Sequence, residues 1–224
     1  MRLVPLLGAV VLVAGCGSSS SGRAIVWVTR DRGAHVLHVA NVPAGLTAAQ
    51  GLERVAKVET RYGGRYIRSV DGVEERGQRA WFYYVNGYLA DRSAAEYRLH
   101  PGDVEWWDYR SWKDPAEDPV VVGAFPQPFL NGYGGRRRRA LIITAEPNRV
   151  RKLARRLHAK VATIGQSFPA QEVNVLEIRR ASPTTARLSF IGSTSPGSAV
   201  RLAFNGDPKL LLRRWPFRFQ YKLP

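Results

Sequence analysis

Few side chains in this sequence are spaced for chemistry. His35 and His38 are three apart, so a regular strand holding both points them to opposite faces. That makes them poor joint metal ligands, and a packed or solvated role fits better. Asp103 and Asp108 are two carboxylates in one short segment. Asp103 follows Pro101-Gly102, where an aspartate side chain commonly bonds backbone, and Asp108 is expected to pair with a nearby arginine. There is no Gly-x-Ser-x-Gly elbow, no cysteine pair and no His-Glu helical zinc motif. Gly134-Gly135 before Arg136, Arg137, Arg138 and Arg139 lacks the Walker spacing and its Lys-Ser/Thr. These arginines read either as a solvated loop or as a contact for anionic headgroups or wall polymer, at ~1 kcal/mol per cation. The sequence argues against an enzyme, and predicts neither a catalytic cofactor nor a metal site.

Aromatic surface is what the sequence concentrates. Ten of the 23 aromatic residues lie between positions 81 and 112, four of them in WWDYRSW (106–112). Strand alternation puts Trp81, Tyr83 and Val85 on one face, which looks like core, and sends Phe82, Tyr84 and Asn86 the other way; it likewise sets Trp107 and Tyr109 apart from Trp106. An isolated domain of ~90 residues covers only about 60–65% of its unfolded surface, so some rings are expected outside. Exposed aromatic patches mark binding sites, and the candidate ligand-binding set is Tyr84, Asn86, Tyr88, Trp106 and Trp112. The alternative is that the second half of the chain packs over them, with Trp112 the first to be lost to such a contact.

The N-terminus supplies an address. MRLVPLLGAVVLVAGC has one charge, Arg2, and then an apolar run too short for the ~20 residues of a membrane-spanning helix. Val13-Ala14-Gly15-Cys16 resembles a bacterial lipobox, which makes 1–15 a lipoprotein signal peptide and Cys16 the lipidated residue. Cys16 is the single cysteine, so no disulfide framework exists. GSSSSG (17–22) completes a flexible tether over 16–23. The expected location is the outer side of the cell membrane, held by the lipid anchor. The net charge of +16 then points to anionic envelope components and not to nucleic acid. That charge is uneven, with a net of +2 over 23–112 and +13 over 113–224.

The elements that position these residues follow from hydrophobic period. AIVWVTR (24–30) and AHVLHVA (34–40) alternate as strands around an Asp31-Arg32-Gly33 turn. Thr47 with Gln50 is a capping-box pattern before a helical apolar set at Ala48, Leu52, Val55 and Ala56. Strands are predicted over 66–70, 80–85 and 104–110, the first two ended by Asp71-Gly72 and Asn86-Gly87. This ββαββ order describes a β-grasp, a mixed sheet with one helix across it, over 24–112. KDPAEDP (113–119) reads as a linker. A second, basic α+β domain over 120–224 is predicted, with strands at 120–125, 141–145 and 173–178 and a helix at 148–158. A closing strand pair, 199–204 and 210–221, is predicted to turn at Asn205-Gly206-Asp207. The fold class is α+β throughout.

Three ordered motifs carry a resemblance: Tyr66-Ile67-x-Ser69-Val70-x-Gly72, Trp81-Phe82-Tyr83-Tyr84-Val85-Asn86-Gly87 and Pro101-Gly102-Asp103-x-x-x-Trp107-x-Tyr109. They resemble the β-grasp domain that ends transcobalamin and intrinsic factor, which has relatives of unknown function in bacterial secreted proteins and lipoproteins. In the vitamin carriers this domain caps one face of cobalamin while an α/α-barrel domain holds the other. The resemblance therefore implies an accessory in uptake of cobalamin or a similar large ligand. Its partner would be a cofactor transporter or a separate α/α-barrel protein, since this sequence contains nothing like the barrel. The alternative is a non-catalytic envelope lipoprotein that docks a partner chain through the β-grasp edge or the aromatic patch.

Overall fold

The computed structural model describes residues 22–111, 113, 123–167, 171–179, 187–191 and 195–212. Strands β1 (Arg23–Arg30) and β2 (His35–Pro43) pair as an antiparallel hairpin. Asp31 (φ 53°) and Arg32 (φ 60°) both take the left-handed turn conformation whose twist suits a hairpin. The register slips between Val28 and Thr29, so Leu37 is the bulged residue and His35 and His38 sit opposite Arg30 and Val28. The bulge thus puts the two histidines on one face, where unbroken alternation would separate them.

Helix α1 (Ala48–Glu53) starts where the capping box places it. Gln50 N donates to Thr47 Oγ1 at 3.2 Å, and Thr47 N donates to Gln50 Oε1 at 3.0 Å. Gly51 is the point of closest approach, because a Cβ there would stand 2.5 Å from Glu105 Oε2 on the sheet below.

Strands β3 (Val58–Arg61), β4 (Tyr66–Val70) and β5 (Val73–Glu74) form a small antiparallel sheet. Then follow β6 (Arg79–Val85), β7 (Tyr88–Leu89) and β8 (Val104–Ser111). The main sheet runs β2-β1-β8-β6-β7, with β8 parallel to β1 at its centre and the other pairings antiparallel. A hairpin, a crossing helix and a last strand parallel to the first is the layout expected of the β-grasp. The three short strands β3, β5 and β7 escape the sequence reading because each is four residues or fewer.

Short helix α2 (Gln127–Leu130) precedes β9 (Arg139–Thr144), α3 (Pro147–Leu157) and β10 (Ala159–Ala162), a parallel β-α-β unit. Val150, Leu153, Ala154 and Leu157 form the buried stripe of α3, as the spacing predicts. Strands β11 (Val173–Arg179), β12 (Arg187–Phe190) and β13 (Arg201–Asn205) complete a sheet of order β10-β9-β11-β13-β12, antiparallel only at β12. Two expectations need correction. Positions 123–126 are a turn and not a strand, while 120–122 lie outside the described residues. Of the closing strand pair the first is present as β13, but the start of the second is replaced, over Pro208–Leu212, by a 3-10 helix. Asp207 starts it by accepting Lys209 N at its side chain and Leu210 N at its carbonyl, and Pro208 has no N–H to offer a ladder. The rest of the predicted second strand lies outside the described residues.

The two sheets share one hydrophobic cluster, which runs from Trp27, Trp106 and Tyr88 through Phe129 and Tyr133 to Leu153 and Phe204. Tyr133 stands 5.6 Å from the Tyr88 ring and 5.5 Å from the Tyr97 ring. Its hydroxyl donates to Asp91 Oδ1 at 2.6 Å, and Gly134 N donates to Tyr97 Oη at 3.1 Å.

Candidate functional site

The candidate aromatic patch is interior. Tyr84, Asn86, Tyr88 and Trp106 are each at most 1% exposed. Strand register puts Tyr84 beside Trp106, and Tyr83 beside Trp107 on the other face. Trp106 meets Trp27 edge-on at 5.4 Å and donates from Nε1 to Thr29 Oγ1 at 2.7 Å. Arg110 Nε donates to Tyr84 Oη at 3.0 Å, and burial pushes the Tyr84 hydroxyl up to about 12. Tyr88 donates to Ser198 O at 3.0 Å, in the second half of the chain. The area argument fails because its premise of an isolated ~90-residue domain fails: the cluster continues into the second sheet, and a larger unit buries a larger fraction of its surface. Trp112 and Cys16 lie outside the described residues.

Asn86 is a structural joint and not a ligand contact. It holds φ 51° in the Asn-Gly turn after β6. Its Nδ2 donates to Asp103 Oδ1 at 2.7 Å and to Gly132 O at 2.9 Å, while Oδ1 accepts Val104 N at 2.8 Å. Asp103 also accepts His100 N at 2.8 Å, the backbone role expected after Pro-Gly. Asp108 lies near the Arg110 charge, in keeping with the expected arginine neighbour. It accepts Thr29 Oγ1 at 2.6 Å and Arg32 N at 2.9 Å, which fixes the β1–β2 turn, and burial holds its pKa above the usual carboxylate range. Of the arginine run, Arg136 and Arg137 are exposed. Arg138 is tied to Gly197 O at 2.9 Å and Gln171 O at 3.2 Å and is structural, while Arg139 is also exposed and pairs with Glu172 at 3.1 Å on the surface. His38 Nε2 pairs with Asp71 Oδ2 at 2.5 Å, and that contact lowers the Asp71 pKa.

Three surfaces remain open. The first is the edge strand β2, where Val36, Leu37 and Val39 are 47%, 38% and 53% exposed. Among the described residues β2 pairs only with β1, and 35–43 contains no Lys, Arg, Asp or Glu. Natural edge strands are normally guarded by such charges. The second is a groove of about 250 Å³ between β4 and β6, lined by Tyr66, Trp81, Tyr83, Leu89 and Trp107 among others. Tyr83 and Trp107 stack there at 5.0 Å and 20°. The third is a crevice of about 330 Å³ at the C-terminal ends of β9 and β11, with Thr144, Arg149, Arg179 and Asp207 in its wall. Its charges neutralise one another: Arg149 pairs with Glu146 at 3.0 Å and Arg179 with Glu177 at 3.0 Å.

Residues 45–111 match the family model described as a domain of unknown function, DUF4430. The match spans α1 through β8. Among solved structures, a protein from Ruminococcus gnavus ATCC 29149 described as a "putative metal binding protein" is 19% identical. The alignment covers 41% of this chain and 98% of that chain, with a TM-score of 0.33. No curated protein matches. Among the described residues, no group of three or more His, Cys, Asp or Glu is placed to hold a metal ion. No helix among them is long and apolar enough to cross a membrane.

Sequence reasoning missed the groove, and named the β-grasp edge as a docking surface without identifying the strand. The edge had a readable signal in the absence of charge from Ala34 to Pro43. The groove had none, because β4 and β6 are brought together by tertiary packing alone.

Proposed function

We propose that this chain is a lipid-anchored, extracytoplasmic, non-catalytic binding protein that docks a partner polypeptide along β2. The observation that carries this reading is the uncharged outer edge of β2 with Val36, Leu37 and Val39 open to solvent. An extended segment added there would satisfy the free backbone groups of β2 and cover its exposed apolar side chains. A photo-crosslinking amino acid at position 36, 37 or 39, introduced in the living cell, tests it. The expected result is an adduct of one discrete mass at these positions, absent when the same group sits at exposed Tyr62. The adducted segment, synthesised as a peptide, should then perturb the β2 amides of the purified protein. Equal labelling at β2 and Tyr62 sinks the reading.

The large-ligand reading implied by the resemblance to the vitamin-carrier domain loses Tyr84, Tyr88 and Trp106, the described rings first assigned to it. One observation still favours it, the stacked Tyr83–Trp107 pair lining the β4–β6 groove. A flat ligand such as cobalamin would rest an edge in that groove, with a transporter or α/α-barrel partner covering the rest. Tryptophan fluorescence titrated with cobalamin, corrected for absorbance, decides it. No saturable change up to ~1 mM leaves only binding weaker than millimolar and removes this reading.

A further inference from the structure

The first described residue is Gly22, and what surrounds it is informative. Ala44 N donates to Gly22 O at 2.9 Å, and a Cβ at position 22 would stand 2.6 Å from Pro101 Cβ. Gly102 N donates to Arg23 O at 2.8 Å. Asn131 Nδ2 donates to Gly102 O, which joins this turn to the segment after α2. His100, the neighbour of Pro101, lies against Gly135, where a Cβ would come within 2.7 Å of the imidazole Cδ2. The point at which the chain emerges therefore adjoins the Gly134–Arg137 loop. Four exposed cations belong to these contacting segments: Arg23, Arg98, Arg136 and Arg137. Arg98 reaches the same place by donating to Gly45 O at 3.1 Å, next to Ala44. Against them, Asp103 is buried, Glu172 is paired with Arg139, and Glu96 is exposed.

We propose that this end of the molecule lies on an anionic phospholipid bilayer, with Arg23, Arg98, Arg136 and Arg137 against the headgroups. The proposal rests on the lipid-anchor reading of Cys16. Only the six residues GSSSSG separate Cys16 from Arg23. A flexible linker of that length has an average span of about 13 Å and a limit near 20 Å. The Debye length at physiological salt is about 8 Å, and the cations around Gly22 are the ones so short a tether brings first to that distance from the membrane. Each contributes roughly a fivefold gain in association with an anionic surface. Arg179, at the far end of β11, lies about 20 Å from the start of that strand, which is level with Arg139, and stands outside this zone.

The test uses the full lipidated chain reconstituted in vesicles of phosphatidylcholine alone or mixed with phosphatidylglycerol. Phenylglyoxal modification is read arginine by arginine by mass spectrometry, which also reads the lipid on Cys16. The expected result is slower modification of Arg23, Arg98, Arg136 and Arg137 on the anionic vesicles, by roughly fivefold or more, with Arg179 unchanged. Molar salt should abolish the difference. Arg136→Gln combined with Arg137→Gln should restore reactivity at Arg23 and Arg98. Equal rates on both vesicles overturn the proposal while leaving the anchor intact. Protection by a soluble glycerol-phosphate polymer, but not by phosphatidylglycerol, overturns it in favour of wall polymer. A chain with no lipid on Cys16 removes the anchor and the proposal together, by a signal separate from the rates.

Discussion

Asn86 and Gly132 tie the turn after β6 to the loop between α2 and β9: the Asn86 amide donates to the Gly132 carbonyl at 2.9 Å from a fully buried position. The same side chain bonds Asp103 and Val104, so one residue closes the β6–β7 turn, fixes the start of β8 and ties in the second half. Asn86→Ala removes three hydrogen bonds and puts a residue with a Cβ and no local bonding at φ 51°. The expected loss is about 4 kcal/mol in urea denaturation, at ~1 kcal/mol per bond plus ~1 kcal/mol for the turn. Asn86→Gly keeps the turn conformation and should recover about 1 kcal/mol of that loss. If the two variants are equally stable, the network and not the turn sets the whole effect.

Glu105 should make the protein's stability fall as pH rises. Its side chain is fully buried; Oε1 accepts Trp107 Nε1 at 2.6 Å, and Oε2 has no hydrogen-bond partner. Burial raises its pKa well above the ordinary value of 4.5. The folded protein therefore keeps a proton that the unfolded chain releases. This contribution is fully present below the unfolded pKa and is lost progressively as pH rises toward the folded one, at up to ~1.4 kcal/mol per pH unit. Glu105→Gln keeps an oxygen for Trp107 and cannot titrate. Its melting temperature relative to the parent should climb between about pH 4 and pH 8. A difference that does not change with pH would show that Glu105 is ionised in the folded state.

Thr47→Ala should cost about 1 kcal/mol, because it removes one arm of the capping box that starts α1. Thr47→Ser, which keeps the hydroxyl, should cost less than half of that in the same denaturation curve. This helix start was legible in the sequence because a capping box is a local device. The Asn86-Gly87 turn and the α3 stripe were legible for the same reason, since each depends on residues within one or two turns of chain.

The candidate site was legible only in part. Alternation set Tyr84 apart from Tyr83 and Trp106 apart from Trp107, and the strand register agrees. Exposure is a different property, fixed by what covers each face, and Tyr88 reaches Ser198 across 110 positions of sequence. No window of sequence contains that contact. The bulge at Leu37 marks the opposite limit, where one extra residue reverses the facing of every position beyond it.

Val39→Lys separates folding from docking at β2. Val39 is 53% exposed, so a lysine there buries no new charge and should change stability by less than about 0.5 kcal/mol. A lysine on an open edge is also the guard that natural sheets use against strand addition. The variant should therefore keep the parent's melting curve and lose the crosslinked adduct formed from position 36. Val42→Lys, at a position 2% exposed on the same strand, should instead unfold the hairpin, which shows that the tolerance at Val39 comes from its exposure. An adduct from position 36 that survives Val39→Lys would mean that the partner does not run along β2, and strand addition would give way to a contact made by the valine side chains alone.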